Sequence, residues 1–368
     1  MSIKSARQAI AAFVLALPLL CGQTTKTKHL LYVASPGIRN YTEWGGVGVL
    51  VFDIDDGYKL VRRIPTWTYA AGQKVENVKG FAASAVTGKM YVTNLSRTMA
   101  LDVVTGKKLW DREYEGGCDR LTISPDGKTL YVPQLEGPAW HAVNTDNGDV
   151  IATVEVNSGS HNTIWAPDGS RVYLGGLKSP LLRIADPKTN TVASTVGPFA
   201  AGIRPFTVNG SNTLVFVNVN ELLGFEVGDI QSGKKLYRVE VQGYKQGPVK
   251  RHSCPSHGIA LTPDEKELWV ADGANCAIHI FDATVMPPRQ AKTIRLKEFP
   301  GWLSFSMDGR YAYASTGDII DSATKQIVAT LHDETGHLVQ SEKLLDLEIA
   351  NGKVVRAGNQ FGVGMKMK

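Results

Sequence analysis

An aromatic residue returns at one place in a recurring pattern: Tyr91, Tyr131, Tyr173, Phe216, Trp269 and Tyr313, separated by 40, 42, 43, 53 and 44 positions. A period near forty residues is that of a four-stranded propeller blade. Each aromatic lies on an apolar strand that follows a shorter one across a tight turn. The pairs run from Gly80 to Asn94, Asp119 to Val132, His161 to Leu174, Arg204 to Val217, His257 to Val270 and Trp302 to Ala314.

The turns carry the local physics. Pro125-Asp126-Gly127, Pro167-Asp168-Gly169, Asn209-Gly210, Asp264-Glu265 and Asp308-Gly309 separate apolar runs, and Gly or Asn there accepts the positive φ of a hairpin. A second set at Thr105-Gly106-Lys107, Asn147-Gly148-Asp149, Lys188-Thr189-Asn190 and Ser232-Gly233-Lys234 gives each unit four antiparallel strands. Serial units of that kind are blades. Leu30–Ser35, Val47–Ile54 and Lys59–Ile64 lack an inner strand, and Leu344–Ile349 supplies one, so a seventh blade closes the ring from both ends and hides two open edges. The expected fold is an all-β, seven-bladed β-propeller. Val354–Arg356 leaves an eighth blade as the alternative.

Of the 368 residues, 43% are hydrophobic and 20% charged, which suits one large folded domain over residues 23–368. Residues 1–22 read as a signal peptide: Lys4 and Arg7 precede an apolar run from Ile10 to Leu20. That run is short for a membrane span, and no later segment reaches the roughly 18–20 apolar residues spanning needs. The expectation is an exported protein, periplasmic or extracellular, with no transmembrane segment. Leu20 before Cys21 argues against a lipid anchor, since that processing wants a small residue there. Cys118, Cys254 and Cys276 then remain, enough for one disulfide and one free thiol.

The chain resembles the bacterial YVTN-repeat (YncE-like) β-propellers through Tyr91-Val92-Thr93-Asn94, with Ser124-Pro125-Asp126-Gly127-Lys128 and Tyr131-Val132 the nearest match. The resemblance spans nearly the whole mature chain. It implies the fold; for function it implies a range, from nucleic-acid binders and surface proteins to lactonase-type and muconate-cyclising enzymes.

Inner strands of a propeller begin at one mouth of the central channel. The repeat therefore brings Asp119, His161, Arg204, His257 and Trp302 together, with Arg120, Asn162, Asn218, Asn220, Glu221, His252 and Asp272 on neighbouring loops. Such polar residues also commonly bond the next blade or hold channel water. If they act, three chemistries are open. His161, Arg204 and Glu221 follow an order similar to that of lactone-opening or lactone-closing propellers, in which an arginine holds a carboxylate and histidine or glutamate moves a proton. His252, Cys254 and His257, with His161 and Asp119, offer metal ligands. Lys245, Lys250, Arg251 and Tyr244 form one modest basic cluster, too small and too close to Glu240 for a nucleic-acid surface. The default is a scaffold that binds a small, anionic ligand or a protein partner at the mouth. No cofactor and no oligomeric state follow from the residues.

Overall fold

The structure is a computed structural model that describes residues 27–249 and 254–366. Seven antiparallel sheets make up the described chain. Blades 1 to 6 have four strands each, and their inner strands are Gly80–Ser84, Thr122–Ile123, Ser160–Trp165, Ile203–Val208, Ile259–Leu261 and Leu303–Phe305. Among the described residues no helix is long and apolar enough to cross a membrane.

Blade 7 closes the ring. Leu344–Ala350 pairs with Lys28–Ser35, which continues through Gly48–Asp53 to Lys59–Ile64. The register sets Leu30 against Leu347 and Tyr32 against Leu345. Lys353–Ala357 does not start an eighth blade. It folds back on the inner side of Leu344–Ala350 as a fifth strand.

The hairpin chemistry is as the residues require. Gly127, Gly169 and Gly309 hold φ near 73°, and the outer turns place Gly106, Gly148, Asn190 and Gly233 at positive φ. In blade 4 the left-handed residue is Asn212 and not Gly210; in blade 5 it is Glu265.

The recurring aromatics are buried between blades, and three of them, with Tyr32 at the matching place in blade 7, donate their hydroxyls to the following blade. Tyr32 bonds the Val103 oxygen at 3.2 Å, Tyr91 the Thr145 oxygen at 3.5 Å, Tyr131 the Asn190 Oδ1 at 2.6 Å and Tyr173 the Asn212 Oδ1 at 3.1 Å. A buried phenol needs such a partner, and each bond contributes about 0.5–1.5 kcal/mol beyond the ring's apolar burial.

The C-terminal segment 358–366 then crosses the far end of the channel. The Gly362 oxygen accepts from Leu261 N at 2.8 Å and from the Thr207 hydroxyl at 2.7 Å, and Gly364 N donates to the Val208 oxygen at 2.9 Å. Phe361 and Val363 are buried in the core shared by blades 3 and 4.

Candidate functional site at the channel mouth

The strand ladders define the mouth. In every blade one inner-strand residue faces the central aromatic: Ala82, Thr122, Ile164, Thr207, Ala260 and Ser304, with Leu345 opposite Tyr32 in blade 7. Three positions earlier stand Lys79, Asp119, His161, Arg204, His257, Gly301 and Glu342; two positions earlier stand Gly80, Arg120, Asn162, Pro205, Gly258, Trp302 and Lys343. Trp302 therefore belongs to the second ring and not the first.

Ladder irregularities sit at this end of two blades, between Ser160 and Asn162 and between Ile203 and Phe206. Bulges of this kind re-aim side chains. His161 and Arg204 lie in them, and both line a cavity of about 100 Å³ with Lys79, Arg120, His257 and Lys343. At Gly258, φ is +145° and an added Cβ would come within 2.9 Å of the Trp302 backbone, so this position of the second ring has no room for a side chain.

Two ionic clusters build the site. In the first, the Asp119 carboxylate meets His161 Nδ1 at 2.6 Å and Lys79 Nζ at 3.4 Å. Burial pushes this carboxyl up, but the hydrogen bond from His161 and the charges of Lys79 and Arg120 outweigh it and hold it below the usual carboxylate range. Burial also keeps the imidazole below its ordinary value despite Asp119. An ionised Asp119 beside a neutral ring makes Nδ1 the donor and leaves Nε2 as a base. In the second cluster, Arg120 and Lys343 converge on a single oxygen, Glu342 Oε2, with the lysine at 3.0 Å. Lys343 Nζ also donates to the Gly37 oxygen at 2.9 Å. The Arg120 guanidinium lies over the Trp302 indole, 4.0 Å from the ring centroid.

Arg120 is only 4% exposed, yet its Nε and Nη1 have no hydrogen-bond partner, and neither amide atom of the 1% exposed Asn162 has one. Buried donors without partners cost about 1–3 kcal/mol each. Exposed Arg39 and Glu136 stand at the rim. Five cations thus surround the cavity against three carboxylates, counting Asp119 behind His161 and taking Lys343 as protonated. A larger cavity of about 290 Å³ lies on the opposite face between the C-terminal segment and blades 1 to 3, but no titratable side chain lines it.

Of the other sequence candidates, Arg204 and His257 line the cavity and the rest fall elsewhere. Arg204 Nε donates to Asn220 Oδ1 at 2.6 Å, which holds the guanidinium in place. Glu221 is exposed, at a φ of 62°, and is not among the cavity's lining residues, so the trio of His161, Arg204 and Glu221 does not meet there. Asn218 is a buried brace that donates to the Gly224 oxygen at 2.9 Å. Asp272 bonds His279 Nε2 at 3.1 Å inside blade 5. His257 Nδ1 lies 2.9 Å from the Gly301 oxygen. Cys254 is buried against the Ser256 oxygen at 3.1 Å, its thiol pushed by burial up to about 12, and His252 lies outside the described residues with Lys250 and Arg251. Among the described residues no three His, Cys, Asp or Glu side chains group as metal ligands. Cys118, Cys254 and Cys276 are all free thiols, so no disulfide forms among them.

Lys79, Glu342 and Lys343 escaped the sequence reading. Their signal was present, because each stands at the start of its blade's inner-strand register as His161 does, but blades 1 and 7 have to be in the same alignment for it to show.

These features define a seven-bladed β-propeller with a polar, cation-rich channel mouth. No family model matches the chain, and no curated protein matches it. It is similar to the β-propeller domain of Cps50 (Swd1) from Myceliophteria thermophila, with a TM-score of 0.58 and 12% identity, over 77% of this chain and 95% of that one. That likeness shows the shared fold and leaves function to the site.

Proposed function

We propose that this protein is an exported β-propeller that binds a small anionic ligand at the channel mouth. The observation that carries the reading is Arg120: a buried guanidinium with two unpaired donors, in a cavity where cations outnumber carboxylates. Arginine presents its donors in a planar fork that fits carboxylates and phosphates. Arg204, steadied by Asn220, supplies a second charge at the rim. Export rests on Lys4, Arg7 and the apolar run from Ile10 to Leu20.

Calorimetry with inorganic phosphate and short mono- and dicarboxylates tests the site. Arg204→Ala should weaken binding roughly 10- to 100-fold, the worth of one charged hydrogen bond, with little change in melting temperature. No heat from any of these anions, or an unchanged affinity in the variant, would refute the reading.

A second reading, lactone opening or closing, draws support from the His161–Asp119 bond at 2.6 Å, which prepares an imidazole base. In that case Asp119 orients His161, and Glu221 is not needed. Turnover in a lactone screen that His161→Gln abolishes, with anion binding retained, would favour it.

A further inference from the structure

Lys343 has the surroundings of a reactive amine. Its side chain is 3% exposed and lines the mouth. It shares its carboxylate oxygen with Arg120, so two cations lean on one negative atom, and Lys79 adds a third positive charge nearby. An amine in that position is driven toward its free base. Burial first, and Arg120 second, bring it down to about 7, with Glu342 opposing them. Lysines that attack carbonyls are activated in this way, by desolvation and a neighbouring cation.

The geometry also restricts the partner. Arg120 Nη2 and Lys343 Nζ bond the same Glu342 oxygen, so they lie within two hydrogen-bond lengths of each other. A carboxylate on Nη1, the free donor that shares the end of the guanidinium with Nη2, would turn the atom bonded to it toward Nζ. In a 2-oxo acid that atom is the carbonyl carbon. The cavity of about 100 Å³ limits the acid to a few carbons.

We infer that the mouth is a covalent site for short 2-oxo acids, with Arg120 seating the carboxylate and Lys343 forming an imine with the carbonyl. The inference rests on the anion-binding reading above. The Nζ lone pair attacks the carbonyl carbon while the C=O pair moves to oxygen, which takes up a proton; the nitrogen gives up one. The resulting carbinolamine loses its hydroxyl with the remaining N–H proton as water, leaving C=N. Amine and carbonyl give imine and water, with no change of oxidation state.

The test is reductive trapping on the full chain with pyruvate and sodium cyanoborohydride, read by intact mass and peptide mapping. One adduct per chain is expected, on the peptide carrying Lys343, suppressed by excess lactate and absent from Lys343→Arg. Mapping the parent protein assigns the site even if that variant fails to fold. With Arg120, Lys79 and Glu342 as the charged neighbours, trapping should climb as pH passes about 7 and then level, while surface lysines keep gaining until beyond about 10.

Calorimetry with lactate and with pyruvate, both without reductant, separates the two claims. If both bind and Lys343 is not trapped, the imine is wrong and the anion site stands. If neither binds, the imine is wrong, and the anion site fails with it only when phosphate and the other carboxylates give no heat either. Label spread over many lysines and unchanged in Lys343→Arg also overturns the imine.

Discussion

The indole Nε1 of Trp302 donates to the main-chain oxygen of Gln360 at 2.6 Å. One face of that indole carries Arg120, so the floor of the mouth is tied to the C-terminal segment that crosses the far end of the channel. Gln360 also donates to the Leu121 oxygen at 3.3 Å, next in sequence to Arg120.

Removing residues from Asn359 onward should therefore cost both stability and site geometry. Phe361 is 3% exposed, and truncating a buried phenylalanine costs about 3–5 kcal/mol. Phe361→Ala should lower stability by that order in urea unfolding, and the deletion by at least as much. Anion affinity should fall with the deletion, because Trp302 loses its anchor. A deletion that unfolds like the parent would show that the segment is not part of the core.

Two buried groups should shape stability against pH in opposite directions. Burial pushes Asp346 up to about 6 from 3.8, so between those values the native state holds more protons than the unfolded one, and stability falls as pH rises. Lys343 is brought down from 10.5 to about 7, so there the unfolded state holds more protons, and stability rises with pH over that window. Asp346→Asn should remove the acid-side fall, gaining on the order of 1–3 kcal/mol at pH 7 relative to pH 4. Denaturant midpoints measured at pH 4, 7 and 10 for parent and variant check this.

Ring closure is the third testable point. Leu347 is fully buried opposite Leu30, and Leu347→Ala should cost about 2–5 kcal/mol while leaving one cooperative transition. Deleting Glu342 onward should instead abolish cooperativity or solubility, because Lys28–Ser35 is left with an open edge. A deletion that melts as sharply as the parent would contradict closure by these strands.

The blades were legible because Tyr91, Tyr131, Tyr173, Phe216, Trp269 and Tyr313 do one physical job, packing between sheets, and a repeated job leaves a repeated letter. The mouth was legible where a polar residue stands near the start of an inner strand, as at His161 and Arg204. Trp302 was placed one position off because Gly301, the residue in true register, has no side chain to mark it. The C-terminal segment was not legible, since Gln360 and Phe361 meet strands far away in the chain and follow no period. Glu221 had the right residue type and spacing, but spacing alone does not say whether a turn points toward the channel or away from it.

Blade 7 has a consequence in time. Of the described strands, Lys28–Ser35 is the first to leave the ribosome, and its inner partner Leu344–Ala350 is the last but one. At roughly 5–20 residues per second of synthesis, the first strand waits on the order of tens of seconds for its mate. For that interval every other blade can form while the circle stays open, and the chain is most exposed to wrong pairing just before Leu344–Ala350 appears.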